Sequence, residues 1–250
     1  MNSDETILIG ADPDEAIRLA AEQVVAALEG NVRARCVALA GGRTPAALYA
    51  ALTRPPWRDR VDWSAVRWFW GDERAVPPDH PHSNYHMACE TLLKPLGVVA
   101  KRIHRMPADA DDLPAATREY EQAIREHVPA GPDGLPVFDL VLPGVGTDGH
   151  TASLFPSSAG LAAHHRLVVA HEVPSLGAWR MTLTLPLLRV ARRIVVLIIG
   201  ADKAAIMSQV LAPQADPARL PAAGLRGTAG RVVWILDREA SRLVHPSPPV

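Results

Sequence analysis

The stretch Asp139–Pro156, DLVLPGVGTDGHTASLFP, decides how the rest of the chain is read. An apolar run ends in two closely spaced glycines, and an aspartate and a histidine then follow two residues apart. Taken alone, the turn fits a nucleotide-binding glycine loop, a metal site or a catalytic pair. Gly144, Gly146 and Gly149 meet the GxGxxG spacing, but the match falls late in the chain. No acid is plainly placed to end the next strand and hold a ribose. Asp148 and His150 also stand where a pyrophosphate would need room. For a metal, His80, His82 and His86 are the obvious partners. They lie in a proline-rich loop and lack the HExxH spacing, so solvated loop histidines are expected and no metal is assigned.

Outward from this turn, apolar runs alternate with helix-like segments. TILIG (Thr6–Gly10) precedes DPDEAIRLAAEQVVAALEG, which has apolar residues at helical spacing, acids at its start and Gly30 at its end. CVALAGG, the helical TPAALYAAL and VRWFWGDE follow, then helical patterns in SNYHMACETLLKPL and ADDLPAATREYEQAIREHV. The second half runs FDLVLPGVG, RLVVAHEV, RMTLTLPLL, RIVVLIIG, the helix ADKAAIMSQVL and VVWILD. Runs such as RIVVLIIG lack a polar alternate face, as strands buried on both sides do. The expectation is an α/β fold with a Rossmann-like, mostly parallel sheet flanked by helices on both faces. Proline-rich connectors occur at RPPWRD, PPDHPH and PAGPDGLP, with a tail HPSPPV. The polar motifs on both sides of the third connector read as parts of one site, so a single domain over 1–250 is expected.

The totals exclude several classes. Lys and Arg number 26 against 27 Asp and Glu, so no overall basic field draws in nucleic acid. No apolar run reaches the roughly 18 residues needed to cross a bilayer, and no membrane association is expected. The N-terminus carries acids early and has no basic stretch before an apolar one, which makes a cytoplasmic location the default expectation. Cys36 and Cys89 are far apart; Cys36 reads as a small core residue, and a redox or zinc role for the pair is not expected.

Ligands of open parallel sheets collect at the carboxyl ends of the strands, and four polar clusters fall there. LAGGRTPAAL places Gly41, Gly42 and Arg43 before a helix, with Thr44 suited to its N-cap and Pro45 to its first position. Exposed amides at such a helix start favour a phosphate; a tight turn with no ligand fits the same loop equally well. It is not a Walker loop. WFWGDER places Asp72, Glu73 and Arg74 directly after a strand, where an arginine could fork onto phosphate or carboxylate, or form a surface ion pair of little energetic value. The third cluster is the opening turn. The fourth spans RMTLTLPLL and IIGADKAAIM, where Arg180 and Lys203 are ordinary surface charges or, with the Gly-Gly-Thr loop, close a phosphate site from three directions.

With all four in view, the chain resembles the 6-phosphogluconolactonase family, within the glucosamine-6-phosphate isomerase/deaminase-like superfamily. GGRTP is similar to that family's GGSTP loop, GDERAVPPDHPHSN to its GDER–VP–SN segment, and GVGTDGHTASLFP to its GxGxDGHTASLFP signature. RMTLTLPLL, GADKAAIM, LPA and WILDREA continue the match in order, from about Ile7 to Ala240. Two departures stand out: Arg43 replaces a common Ser, and Pro143 replaces an aliphatic residue, so the strand before the turn should stop early.

The resemblance implies hydrolysis of 6-phospho-D-glucono-1,5-lactone to 6-phosphogluconate in the oxidative pentose phosphate pathway, with no required cofactor. A sugar-phosphate lactone is then the small-molecule partner, and the chain a monomer or homodimer. It implies that Gly41, Gly42, Thr44, Arg180 and Lys203 hold the sugar phosphate; Asp72 is placed with them, and Arg43, where the chain departs from the family, either reinforces phosphate binding or points to solvent. Asp148 and His150 form the catalytic turn, with Arg74 nearby. A positioned water can open a lactone without a covalent intermediate, which fits the lack of a GxSxG nucleophile elbow. His150 is expected to take the proton of that water and return it to the ring oxygen, as a residue type that titrates near neutrality can do. Asp148 is expected to orient the imidazole or the sugar hydroxyls, and loop amides or Arg74 to stabilise the oxyanion.

The alternative is the sister activity, deamination with isomerisation of glucosamine 6-phosphate. That group shares the GxGxDGH turn but continues as IAFNEP, whose Glu assists ring opening; here Phe155 stands at the Glu position, and an apolar ring cannot transfer a proton. A non-catalytic sugar-phosphate sensor on the same fold is also disfavoured, because the Asp and His are both present and the early first strand leaves no room for an attached DNA-binding region.

Overall fold

The computed structural model describes residues 5–30, 34–228 and 230–244; the proline-rich tail HPSPPV lies outside them. In chain order the elements are β1 (Glu5–Gly10), α1 (Pro13–Leu28), β2 (Arg35–Leu39), α2 (Arg43–Leu52), β3 (Val66–Trp70), β4 (Asp72–Arg74) and α3 (Asn84–Ala88). Then follow α4 (Leu113–His127), β5 (Leu140–Val141), β6 (Val168–Val173), β7 (Ala178–Leu183), α5 (Leu185–Arg189), β8 (Arg193–Ile198), α6 (Ala204–Val210), β9 (Arg231–Asp237) and α7 (Arg238–Ser241).

α1 shows how local sequence sets an element. Asp12 caps it by accepting from the Glu15 amide, Pro13 takes the first turn, and Asp14 and Glu15 sit at the positive end of its dipole. Ala16, Ala20, Val24 and Leu28, four residues apart, form its buried stripe. The stripe lies against β8, β9 and β1.

Six strands form one parallel sheet in the order β1-β9-β8-β5-β2-β3. From β2 the chain steps outward to β3, whereas from β5 it steps the other way, to β8 and β9. Right-handed crossovers therefore put α1 and α2, which touch each other, on one face and α6 on the opposite face. The direction reverses between the neighbours β2 and β5, and a crevice opens at the carboxyl ends of two such strands. β5 pairs over only two residues before Pro143, which has no amide hydrogen to extend the ladder. The early stop expected from Pro143 is what the fold has.

The second sheet departs from the expectation. VRWFWGDE reads as one run, but the chain turns at Gly71, and Asp72–Arg74 forms the edge of a separate antiparallel sheet, β4-β7-β6. RLVVAHEV and RMTLTLPLL supply its other strands rather than extending the parallel sheet. The small sheet is tied to the end of β3 through the Leu183 amide on the Gly71 carbonyl, at 2.8 Å.

Remote from the crevice, His104 stacks on Phe69 (centroids 4.6 Å apart) and lies 4.4 Å from the His127 ring. Burial, and then the neighbouring His127, Arg67 and Arg102, press its pKa from 6.5 to about 4. Between those two values the unfolded chain binds a proton that the folded chain refuses, so stability falls as the pH drops through that window. The melting temperature of His104→Phe, which keeps the stack without the titrating group, is expected to fall less than that of the wild type between pH 6.5 and 4. Parallel curves would remove His104 from the acid response.

Candidate active site

The loops after β2, β3, β5 and β8 all issue from the carboxyl edge of adjacent strands, and they carry the residues singled out above. The turn after β5 is closed on itself: the Gly146 amide donates to the His150 carbonyl at 2.9 Å, and the Thr151 hydroxyl to the Gly144 carbonyl at 2.9 Å. Within it, Asp148 Oδ1 accepts from the His150 amide at 3.1 Å and lies 2.6 Å from His150 Nδ1. A carboxylate at Nδ1 selects the tautomer with the proton there and leaves the lone pair on Nε2. No hydrogen bond occupies Nε2 among the described residues, and the His150 side chain is 29% exposed, so this nitrogen is open to a ligand.

Partial burial raises the Asp148 carboxyl, but the amide and imidazole of His150 outweigh that and hold it below the ordinary aspartate range. It is therefore an ionised acceptor at neutral pH. Gly146 makes the pairing sterically feasible. A Cβ there would lie 2.1 Å from His150 Nδ1 and 2.6 Å from Asp148 Oδ1. On the other side, Phe155 covers the imidazole, with centroids 4.2 Å apart and planes inclined by 32°.

The loop after β2 differs from its expected form. α2 begins at Arg43, not after Thr44; Gly42 takes the N-cap with φ 103°, and Thr44 and Pro45 lie inside the first turn. Thr44 makes no capping bond, because Gly42 adopts a backbone conformation that a threonine avoids. Among the described residues no side chain caps this first turn, and its amides are left to another acceptor. Arg43 is exposed there and makes no ion pair among the described residues.

Lys203 ends a short 3-10 turn after β8, and its Nζ donates to the Val145 carbonyl at 2.9 Å, which brings the ammonium to the glycine turn. Arg74 and Arg180 are directly paired across β4 and β7. Arg74 donates to the His82 carbonyl at 2.6 Å and Arg180 to the Trp179 carbonyl at 3.0 Å, and neither meets a carboxylate at ion-pair distance among the described residues. Burial, and then Arg74, oppose the charge of Arg180 and lower its pKa. Like charges directly opposite one another cost stability, and an anion between them would remove that cost. Among the described residues no hydrogen bond joins Arg74 to His150, and strand pairing sets Arg74 beside Arg180.

Residues to which the sequence assigned no role in the site complete it. Glu73 is buried and accepts from the amides of Arg74, Asn84 and Tyr85, each at 2.8 Å, which clamps the start of α3 to β4. Burial raises its carboxyl against those bonds. Asn84 and Ser153 both reach Asp72. His80 and His82 pack edge to face, and His86 sits in the first turn of α3; among the described residues, no three metal-binding side chains gather.

A family model for glucosamine-6-phosphate isomerases/6-phosphogluconolactonase matches residues 11–234. The chain belongs to this family. Its relatives include a 6-phosphogluconolactonase of Synechocystis sp., 38% identical over 84% of this chain and 85% of the relative. Another, from Streptomyces coelicolor, is 40% identical over 82% of this chain and 80% of its own length. Among solved structures, the 6-phosphogluconolactonase of Trypanosoma brucei superimposes with a TM-score of 0.86 at 30% identity, covering 98% of this chain and all of that one. The strand-end turn, the Gly-Gly loop and the GDER segment all lie inside the matched span, so the family shares the scaffold that holds the site.

Proposed function

We propose that this chain is a 6-phosphogluconolactonase, hydrolysing 6-phospho-D-glucono-1,5-lactone to 6-phosphogluconate. The observation that carries the reading is the Asp148–His150 pair capped by Phe155 at the switch point of the sheet. The turn presents one basic nitrogen and, at position 155, a ring that transfers no proton. That chemistry suffices for adding water to an ester carbonyl and falls short of the second acid that the sister deaminase uses.

In this reading, His150 Nε2 takes a proton from the water that attacks C1. Asp148, bonded to Nδ1, fixes the tautomer and stabilises the imidazolium that forms. The same proton passes to the ring oxygen as the C1–O bond breaks, which returns His150 to its neutral form. The product is the open-chain acid, and atoms balance with one water consumed. The uncapped start of α2 with Gly41, Gly42, Arg43 and Thr44, together with Lys203 and Arg180, receives the phosphate. Arg74, Arg180's cross-strand partner, adds positive charge for the developing oxyanion.

Fresh phosphorylated lactone is expected to open faster than it does spontaneously, while glucosamine 6-phosphate releases no ammonia; ammonia release without lactone hydrolysis would move the chain to the sister activity. Lys203→Ala is expected to raise KM for the phosphorylated lactone by about 10-fold or more, the value of a hydrogen bond to a charged group. Glucono-1,5-lactone, which lacks the phosphate, should be affected less than about 2-fold, since it forfeits no such bond. Equal losses on both substrates would take Lys203 out of the phosphate site.

A further inference from the structure

Asp72 lies where the site's two halves meet. Its Oδ2 accepts from the Ser153 hydroxyl at 2.7 Å, three residues beyond His150. Its backbone carbonyl and Oδ1 accept from Asn84 Nδ2, at 2.9 and 3.3 Å. Ser153 and Asn84 are 1% and 2% exposed, and Asp72 is 9% exposed. The Asn84 amide in turn lies against the Gly-Gly loop: a Cβ on Gly41 would fall 1.6 Å from Asn84 Oδ1. One buried chain of contacts therefore runs from the phosphate loop through Asn84 and Asp72 to the segment that carries the dyad.

The amide of Asn84 is held in an orientation that costs stability. Its Oδ1 is buried and has no hydrogen-bond partner among the described residues. Rotating the amide would give that oxygen a new environment but would turn it onto the carbonyl and carboxylate of Asp72, where acceptor faces acceptor. The orphaned oxygen is the consequence of serving Asp72. A buried unsatisfied acceptor retained in this way marks a group whose orientation matters. Ser153 serves the other oxygen of the same carboxylate. Together they use two of about four lone-pair positions on the carboxylate, leaving the others to accept from a ligand.

We infer that Ser153 and Asn84 are positioning residues: they lock the Asp72 carboxylate so that it accepts from a ring hydroxyl of the sugar lactone, and thereby place C1 over His150. The inference rests on the lactonase reading. Ser153 occupies a position where the IAFNEP signature has Phe, which could make no such bond, so the lock belongs with the TASLF form of the turn.

The test is a double-mutant cycle on kcat/KM, with Ser153→Ala made in the wild type and in Asp72→Asn, and with melting temperatures recorded for all four proteins. Ser153→Ala is expected to lower kcat/KM about 10- to 100-fold, as misplacement of a reacting group by a fraction of an ångström does. In the Asp72→Asn background the same change should cost less than about 2-fold, because coupled sites are not additive. Glucono-1,5-lactone should show the same factors, since it retains the ring hydroxyls. Equal losses in both backgrounds, or no loss in the wild type, would overturn the inference. If Ser153→Ala does not fold, Asn84→Ala is measured in the same cycle; if neither folds, the two residues are structural and the proposal falls. A wild type that does not hydrolyse the lactone at all would instead sink the lactonase reading.

Discussion

Replacing His150 with alanine is expected to lower kcat by about 10²–10⁴-fold, the range that positioned acid–base help supplies, and to leave the melting temperature close to that of the wild type. The imidazole is partly exposed, packs on one ring and bonds one neighbouring carboxylate, so its loss opens no core cavity. Asp148→Asn should fall in the same direction. An amide can accept from the imidazole or donate to it, and the donating form pushes the proton to Nε2, where it blocks base function. KM should change much less than kcat in both variants, since the proton transfer is made only in the transition state. Near-normal turnover of His150→Ala, measured on a protein shown to be folded, would assign the base to another group.

The second large effect is expected from a single methyl group. Gly146→Ala puts a Cβ within 2.1 to 2.6 Å of His150 Nδ1, His150 Cε1 and Asp148 Oδ1. All three are side-chain atoms, so the clash is relieved by moving the dyad and not the backbone. The fold should survive, and kcat should drop about 10²-fold, as misplacement of a catalytic group by about 1 Å does. Retained kcat would show that the Asp148–His150 contact is dispensable. Loss of folding would show instead that the turn cannot give way, contrary to the reading that the side chains do.

Much of this arrangement was legible in the sequence, for identifiable reasons. Strands such as Arg193–Ile198 are apolar after their first residue because both faces are covered, and the polar loops between them stand out by contrast. Asp148 and His150 are two residues apart, so their pairing is a property of one local turn. The second sheet was not legible, because a bend at Gly71 leaves no mark in the run VRWFWGDE. Thr44 has the chemistry of a cap, yet Gly42 takes that position through a backbone conformation that residue type alone does not reveal. Arg74 stands in a motif that the sequence marks, but its pairing with Arg180 comes from strand register across two segments about a hundred residues apart, which the sequence does not show. The sequence does not reveal the roles of Ser153 and Asn84, for a different reason. They are small polar residues, and their value lies in Asp72, which for Ser153 is 81 positions away along the chain.

The central claim is that the dyad turn opens a phosphorylated sugar lactone. Its most direct test is the initial rate of 6-phosphogluconate formation from freshly prepared 6-phospho-D-glucono-1,5-lactone, followed with wild-type protein, with His150→Ala and without protein. The expected result is a wild-type rate well above the spontaneous one, and a His150→Ala rate lower than wild type by about 10²-fold or more. A wild-type rate equal to the spontaneous rate would contradict the claim outright.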